Sequence, residues 1–275
     1  MPNRPAYFRV FATFARNSLV RDMTFRANFL IDAVSSLAWM MMNLGFYKLI
    51  FMNTTQIGAQ SGWREYEFFV FLATTLFVNS IVQAFFMPNC SELSELIRTG
   101  NLDFALLKPI DTQFLVSLQK IEWSALSNFC FAAGLLSYSL AQLEYRPTAA
   151  QCLLYPLYVA CGVAMLYSLM ITLSSISIWL GRNQSLYDFW FYITNFSRYP
   201  MEIYQGPFGT PLRLTFTFVV PVLIVVNVPA RLLAKPLASQ DWRLAVFALF
   251  ATAASLAASR WVFQRALASY RSASS

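Results

Sequence analysis

The side chains that could do chemistry in this chain are few, because its 275 residues include no histidine. Without histidine the chain can build neither a histidine-ligated metal site nor a Ser-His or Cys-His nucleophile pair. A metal or disulfide site also needs suitably spaced thiols. No CxxC or metal-ligand spacing relates the four cysteines, Cys90, Cys130, Cys152 and Cys161. We therefore expect neither metal nor redox chemistry from this chain.

Three carboxylates lie in or beside long apolar segments, and they are Asp32, Glu122 and Asp188. An ionisable side chain inside a membrane is a candidate functional site, for example in a proton relay. Each of the three can instead lie at a membrane boundary, so we interpret them as interfacial anchors or interhelix hydrogen-bond partners. An ion-coupled secondary transporter needs acidic residues in the middle of its spans, and an intramembrane enzyme needs a nucleophile-base pair. The sequence supports neither, and a non-transport assembly factor is a further alternative.

The sequence lacks the usual phosphate-binding motif of enzymes that hydrolyse nucleotides. The chain contains no GxxxxGK[ST] loop and no Gly-Lys dipeptide, so it lacks the usual cradle of backbone amides and lysine that holds ATP phosphates. We expect no cofactor on this chain. If ATP drives its activity, the nucleotide and its magnesium ion must be bound by another polypeptide.

A charged stretch, "SELSELIRTGNLDFALLKPID" at residues 91–111, lies between two apolar segments. Asn89 and Glu92 are spaced as a capping box, and Gly100 can end a helix in the left-handed region. The pattern predicts a helix over residues 90–99, about 15 Å long. One face carries the apolar residues Leu93, Leu96 and Ile97 and the other the charged residues Glu92, Glu95 and Arg98. Such a helix can dock into a groove on a partner or rest on its own bundle.

Composition determines what must position this helix. Hydrophobic residues make up 57% of the chain and aromatic residues 17%, more than a soluble globule of this length can bury. The pattern predicts an all-α integral membrane protein with one transmembrane domain, residues 1–275. Segments of about 20 apolar residues, enough to cross a bilayer, lie at 29–51, 66–87, 121–141, 152–180 and 243–263. Residues 185–233 contain Pro221 and Pro229 and fit either one kinked span or a broken hairpin.

Lysine and arginine favour the cytoplasmic side in short loops. Arginines are concentrated in residues 1–28 and after the last span, so both termini are predicted to be cytoplasmic. Residues 88–120 are then inside, and residues 52–65 and 142–151 are outside. The net charge of +7 is explained by topology and by attraction to anionic lipid, and we expect no nucleic-acid binding. Before the first span, Tyr7, Val10, Phe11 and Phe14 recur at helical spacing, as in a helix that lies in the membrane interface.

The charged stretch resembles the cytoplasmic segment between the second and third spans of ABC-2 type exporter permeases. In that family an acidic helix is followed by Arg, a near-adjacent Gly, Leu, an acidic residue and a Leu-Leu-x-Pro turn. The resemblance implies that this segment is a coupling helix, which sits in a cleft of a separate ATPase subunit. The residues that would then contact the ATPase are Glu92, Leu93, Glu95, Leu96, Ile97, Arg98, Gly100 and Asp103.

A second stretch, "WLGRNQSLYDFWFYITNFSRYPMEIY" at residues 179–204, is similar to the junction of the fourth and fifth spans in the same family. The two-proline segment after it resembles the family's external re-entrant hairpin. Arg198 departs from the family pattern, which has a small or apolar residue there. The hairpin arrangement puts 12 Lys/Arg inside and 8 outside, whereas a fully spanning segment gives 14 and 6. The charge rule thus mildly opposes the hairpin that the resemblance implies.

The resemblance implies a six-span permease in the bacterial cytoplasmic membrane, surrounded by lipid. It would pair with a second permease, identical or homologous, and with ATP-binding cassette ATPase subunits, and it would act in export. The sequence does not identify the transported substrate.

Overall fold

The computed structural model describes residues 6–58, 61–180, 191–237 and 242–270. Over these residues the chain is helical, without β-strands. The helices that lead to the candidate site are α1 (Tyr7–Thr24), α2 (Arg26–Asn53), α3 (Glu65–Phe85), α4 (Met87–Arg98), α5 (Leu102–Leu106) and α6 (Thr112–Leu118). A short 3₁₀ turn at Trp123–Ala125 then leads into α7 (Leu126–Gln142).

The second half begins with α8 (Ala149–Leu180). Two 3₁₀ turns, Phe196–Arg198 and Met201–Ile203, precede α9 (Gly206–Leu214), which continues through a π-helical turn at Thr215–Val219. The last helices are α10 (Val222–Ala234) and α11 (Trp242–Ser269). Residues 181–190, which include the beginning of the predicted fifth span and Asp188, lie outside the described residues.

Five helical stretches are long and apolar enough to cross a membrane, and they overlap the five clear spans that the sequence predicts to within a few residues at most ends. The stretch formed by α3 and α4 is 34 residues long, or about 51 Å at 1.5 Å per residue. A hydrocarbon core is about 30 Å thick. Part of this stretch must therefore project beyond the hydrocarbon, and the charged residues of α4 identify that part.

The bundle has two ends. The α4 end carries residues 87–123 and the last turn of α11, where the indole of Trp179 donates to Ser269. The Trp63 end carries the loop before α3 and the turn between α7 and α8, which line one cavity together with Pro236. From α2 to α8, consecutive spans connect at alternating ends, as in an up-and-down bundle.

The sixth apolar region is bent. The Gly206–Val219 and Val222–Ala234 stretches meet at an angle of 88°. Pro221 lies at the bend and Pro229 within α10, and each removes a backbone donor. Such a pair is either a broken span or a re-entrant loop.

The contacts of the bent pair favour the re-entrant alternative, because both of its ends lie at the Trp63 end. The Glu202 carboxylate, just before α9, accepts from the Trp63 indole at 3.0 Å and binds Arg231 in the last turn of α10 at 2.7 Å. Lys235 forms an ion pair with Glu67 at the start of α3. Arg231 and Lys235 are two of the eight Lys/Arg residues that the hairpin arrangement puts outside. Both are thus paired with carboxylates.

Helix α10 lies inside the bundle, since nearly all of its side chains are buried. Gly162 of α8 permits the close contact: a Cβ atom built there would lie 2.6 Å from the Val225 carbonyl oxygen. That carbonyl lies four residues before Pro229, which has no N–H to donate to it. The amide of Gln151, at the start of α8, donates to the Leu232 and Lys235 carbonyls and caps the other end of α10. The proline-containing helix is therefore covered by protein.

Candidate functional site

The candidate site is the segment of residues 87–118, and α4 begins it earlier than predicted. The helix starts at Met87 with Phe86 as its N-cap residue, so the predicted capping box at Asn89 and Glu92 is wrong. Pro88 is the physical reason, because proline fits the first turn of a helix, where its missing N–H is not needed. The predicted end is correct: α4 stops at Arg98, and Gly100 has a φ of +72°.

Asn89 has a different task from the predicted one. Its side chain is buried, donates to the carbonyls of Phe85 and Lys120, and accepts from the Lys120 backbone N–H at 2.8 Å. The same lysine binds Glu92 through its ammonium group, 2.6 Å from Oε1. Asn89 and Glu92 together fasten α4 to the chain that enters α7.

The apolar face of α4 packs on its own bundle. Leu93 has no exposed surface, and Leu96 and Ile97 are half-buried against the core. Ser94 adds a polar tie, because its hydroxyl donates to Ser177 of α8 at 2.9 Å. Leu93 is therefore a packing residue of the bundle in this structure, and its predicted contact with a partner stays a prediction.

The exposed surface of the segment is formed by other side chains. Glu95 and Arg98 form an ion pair with each other on the outer face of α4. Beyond Gly100, Leu102 of α5 is buried, whereas the side chain of Phe104 is 67% exposed. Leu107, the residue after α5, is 80% exposed. Asp103 is half-buried and lies beside Tyr270. Phe104 and Leu107 are not among the residues predicted from the sequence, because exposure of these two side chains is visible only in the structure.

A polar network joins the segment to two spans. Asp111 accepts from the Phe114 backbone N–H at the start of α6 and from Arg260 of α11, with N–O distances of 2.9 and 3.0 Å. Arg260 also donates to Gln113, which donates in turn to the hydroxyl of Tyr167 on α8 at 2.9 Å. From the sequence alone, Arg260 indicates only that the C-terminus is cytoplasmic.

The charges set the protonation state of this network. Burial acts to raise the pKa of Asp111, but hydrogen bonds from Arg260 and from the Phe114 backbone, with the arginine charge, outweigh it. The pKa of Asp111 therefore lies below its ordinary value. The carboxylate is ionised at neutral pH, as a bidentate partner of arginine needs to be.

Helix α1 is held against the chain that follows the segment. Ser18 accepts from the Ile121 backbone N–H at 3.0 Å, and Asp22 accepts from the Trp123 backbone N–H at 3.2 Å. The Trp123 indole donates to the Ala15 carbonyl. The predicted amphipathic face agrees with this packing, because Phe11 and Phe14 are half-buried while Arg9 and Arg16 are exposed.

In the part of the chain that the structure describes, which leaves out Asp188, no group of three or more His, Cys, Asp or Glu side chains is placed to hold a metal ion. Asp32 is exposed on α2. Partial burial and the nearby charges of Asp32 and Asp22 raise the pKa of Glu122, which lies just before the 3₁₀ turn.

Comparison with protein families matches residues 37–274 to the family described as ABC-2 family transporter protein. The chain belongs to this ABC-2 transporter family. It is a multi-pass membrane protein and the permease part of an ABC transporter. Comparison of this ABC-2 permease with curated proteins and with solved structures found no match.

Proposed function

We propose that this ABC-2 permease contacts a separate ATP-binding cassette ATPase through residues 87–111 and moves its spans in response to ATP binding there. ATP and magnesium belong to the partner. Two permeases, identical or homologous, form the path between them, and the direction is export. Both termini and the α4 end face the cytoplasm of a bacterial cell, and the bent α9–α10 pair is an external re-entrant hairpin.

The observation that carries this proposal is the polar network of Asp111, Gln113, Tyr167 and Arg260. It joins the segment to α8 and α11 through side chains rather than through the chain alone. A displacement of α4 and α5 would therefore be passed to two spans at once.

The exposed groups define the contact surface. Glu95 and Arg98 offer charge, and Phe104 and Leu107 offer apolar area, on adjacent turns of the chain. Buried apolar anchors surrounded by polar groups are typical of protein interfaces. We assign the ATPase contact to these four residues and assign Leu93, Leu96, Ile97, Glu92 and Gly100 to the shape of the segment, while Asp103 borders it.

The test compares two charge reversals. Glu95→Lys places a cation on the proposed contact, whereas Glu144→Lys makes the same change at the Trp63 end, where Glu144 is exposed and pairs with Arg64. Exposed changes of this kind cost little stability, but a reversed charge in an interface costs more. We expect Glu95→Lys to lower the amount of ATPase that co-purifies and to abolish transport, with Glu144→Lys like the unaltered protein.

Equal co-purification and equal transport in the two variants would contradict the assignment. Thermal unfolding of each permease alone shows whether either variant is misfolded. A Phe104→Ser, Leu107→Ser double variant provides a second measurement, because it removes apolar contact area without changing charge.

A further inference from the structure

We propose that a polar groove between α2, α3 and the first turn of α7 binds the head of an amphiphile that is rich in hydroxyl or amide groups. The groove has a volume of about 510 Å³. This inference deepens the proposed function, and rests on it, by naming the class of molecule that the permease receives. The amphiphile enters from the membrane with its chain in lipid and its head in the groove.

The groove is unusually polar for its position. Ser35 and Asn43 of α2 line it together with Thr75, Asn79 and Gln83 of α3, and all five lie within predicted spans. Lipid chains cannot satisfy amide groups. Asn43 and Thr75 bond to carbonyls of their own helices. Asn79 and Gln83 are half-buried, and within the described residues their side chains form no hydrogen bond, so they are available to a ligand.

Asn128 provides independent support. It lies in the first turn of α7 and lines the groove, it is only 8% exposed, and its Oδ1 atom has no hydrogen-bond partner in the described part of the chain. Such an unpaired atom costs about 1–3 kcal/mol and requires an explanation in a native structure. Rotation of the amide would turn the oxygen toward a donor in the groove. A ligand hydroxyl or amide N–H supplies that donor, whereas a quaternary ammonium cannot.

The other end of the groove accepts negative charge. Arg198 and Tyr199 line it beside Tyr47, about 18 Å along α2 from Ser35 at 1.5 Å per residue. Arg198 is exposed and forms no ion pair among the residues described. No carboxylate lines the groove. A head group with net negative charge is therefore accommodated, whereas a head group with a cationic part, including a quaternary ammonium beside a phosphate, is not favoured. Arg198, which departs from the family pattern, thus attracts the negative charge of the head group.

An aromatic side chain marks the opening to lipid. Trp39 lines the groove and is 63% exposed. Its ring presents an apolar face to a sugar ring or to the first methylene groups of a chain. Trp39 therefore also reports occupancy, since bromine atoms on a ligand chain quench a tryptophan that they touch.

The experiment uses the full-length permease in nanodiscs, without ATPase. Alkyl glucoside and alkyl phosphocholine of equal chain length, both brominated near the head, are titrated while tryptophan fluorescence is measured. The Trp39→Phe variant provides the signal of the other tryptophans, which is subtracted. We expect saturable quenching of Trp39 by the glucoside, which has hydroxyl donors, and only linear, non-specific quenching by the phosphocholine, which has none.

The variants are chosen to separate binding from folding. Asn79→Leu combined with Gln83→Leu should weaken glucoside binding about tenfold, which corresponds to about 1.4 kcal/mol. Asn53→Leu, an amide replacement on α2 outside the groove, should leave binding unchanged. Asn128→Leu should weaken binding and raise the thermal midpoint, because it removes an unpaired buried oxygen.

Equal quenching by the two amphiphiles, or unchanged binding in the double leucine variant, would overturn the proposal. So would a disulfide between two copies carrying Trp39→Cys, since the groove would then be closed by a second permease. None of these measurements involves the ATPase. A failure here leaves the coupling role of the 87–111 segment intact, and that role is tested by Glu95→Lys.

Discussion

Asp111 combines two tasks that are usually divided between residues. One carboxylate caps α6 through the Phe114 N–H and holds the guanidinium of Arg260 on α11. A change in the position of α6 thus alters the environment of a charge on a span. Gln113 and Tyr167 extend the same connection to α8. The residue that connects the segment to α11 therefore lies outside α4, the helix that the sequence pattern emphasises.

The protonation of Asp111 makes this network sensitive to acid. Since its pKa is lowered in the folded protein, its contribution to stability is present above the ordinary value and is lost as the pH falls through the folded value. We expect the unaltered protein to unfold a few degrees higher than Asp111→Asn between pH 8 and pH 5, with the difference shrinking below about pH 4. Thermal unfolding at several pH values measures this. A constant difference down to pH 3 would be inconsistent with an ionised Asp111.

Gly100 is required for its backbone conformation and not for space. Its φ is +72°, and an added Cβ would meet nothing within 4 Å. We expect Gly100→Val to lose roughly 1–2 kcal/mol, the usual cost of the left-handed region for other residues, and to uncouple transport. Gly100→Asn should be nearly normal, because asparagine tolerates this region. If the valine and asparagine variants behave alike, the turn does not depend on positive φ.

Among the elements, α10 depends most on its neighbours. Pro229 leaves the Val225 carbonyl without a helical donor, and Gly162 lets α8 pack directly over that carbonyl. Gln151 caps the carbonyls at the end of α10. A helix with these defects would be costly in contact with lipid, and inside the bundle each defect is covered by α8.

Substitution of Gly162 tests the close packing. A Cβ atom would lie 2.6 Å from a backbone oxygen, and backbone cannot move aside as a side chain can. We expect Gly162→Val to destabilise the permease by about 1–3 kcal/mol, as overpacking does. Gly134→Val on α7, where an added Cβ meets nothing within 4 Å, is the control. Similar thermal midpoints in the two variants would show that α8 and α10 are further apart.

The spans could be predicted because length and apolar composition determine them, and the five clear segments all occur. The end of α4 could be predicted because Gly100 is a local signal. Its beginning could not, because Pro88 and Asn89 both fit a helix start, and only contact with Lys120 places Asn89 inside the helix. The Asp111 and Arg260 pair joins residues 149 positions apart, and no local pattern in a single sequence reveals such a pair.

At the scale of the whole molecule, carboxylates hold cations at both ends, since Arg98, Lys120 and Arg260 at the α4 end are paired as well. At the Trp63 end, Arg231 and Lys235 are held by Glu202 and Glu67. At the α4 end, Arg9 and Arg16 of α1 are exposed and can meet anionic lipid. Carboxylates offset two of the cations at the Trp63 end. A count of Lys and Arg alone therefore overstates the charge evidence against placing both ends of the bent pair outside.

A single cysteine decides the orientation. With Cys90, Cys130, Cys152 and Cys161 replaced, Gln205→Cys puts a thiol on an exposed residue just before α9. We expect labelling by a membrane-impermeant thiol reagent on intact cells, because residue 205 lies at the Trp63 end, which we place outside. A cysteine at exposed Lys108 should be labelled only after permeabilisation. The reverse pattern would place the hairpin inside.

The pairing of Glu67 with Lys235 has a consequence for biogenesis. The ribosome delivers Trp63, Glu67 and Gln151 long before their partners Glu202, Lys235 and Leu232, so the early chain carries groups whose partners do not yet exist. Until about residue 235 has been synthesised, Glu67 and Gln151 lack the partners that they have in the complete protein. A chain interrupted before α10 therefore leaves polar groups at its Trp63 end unsatisfied, which costs free energy.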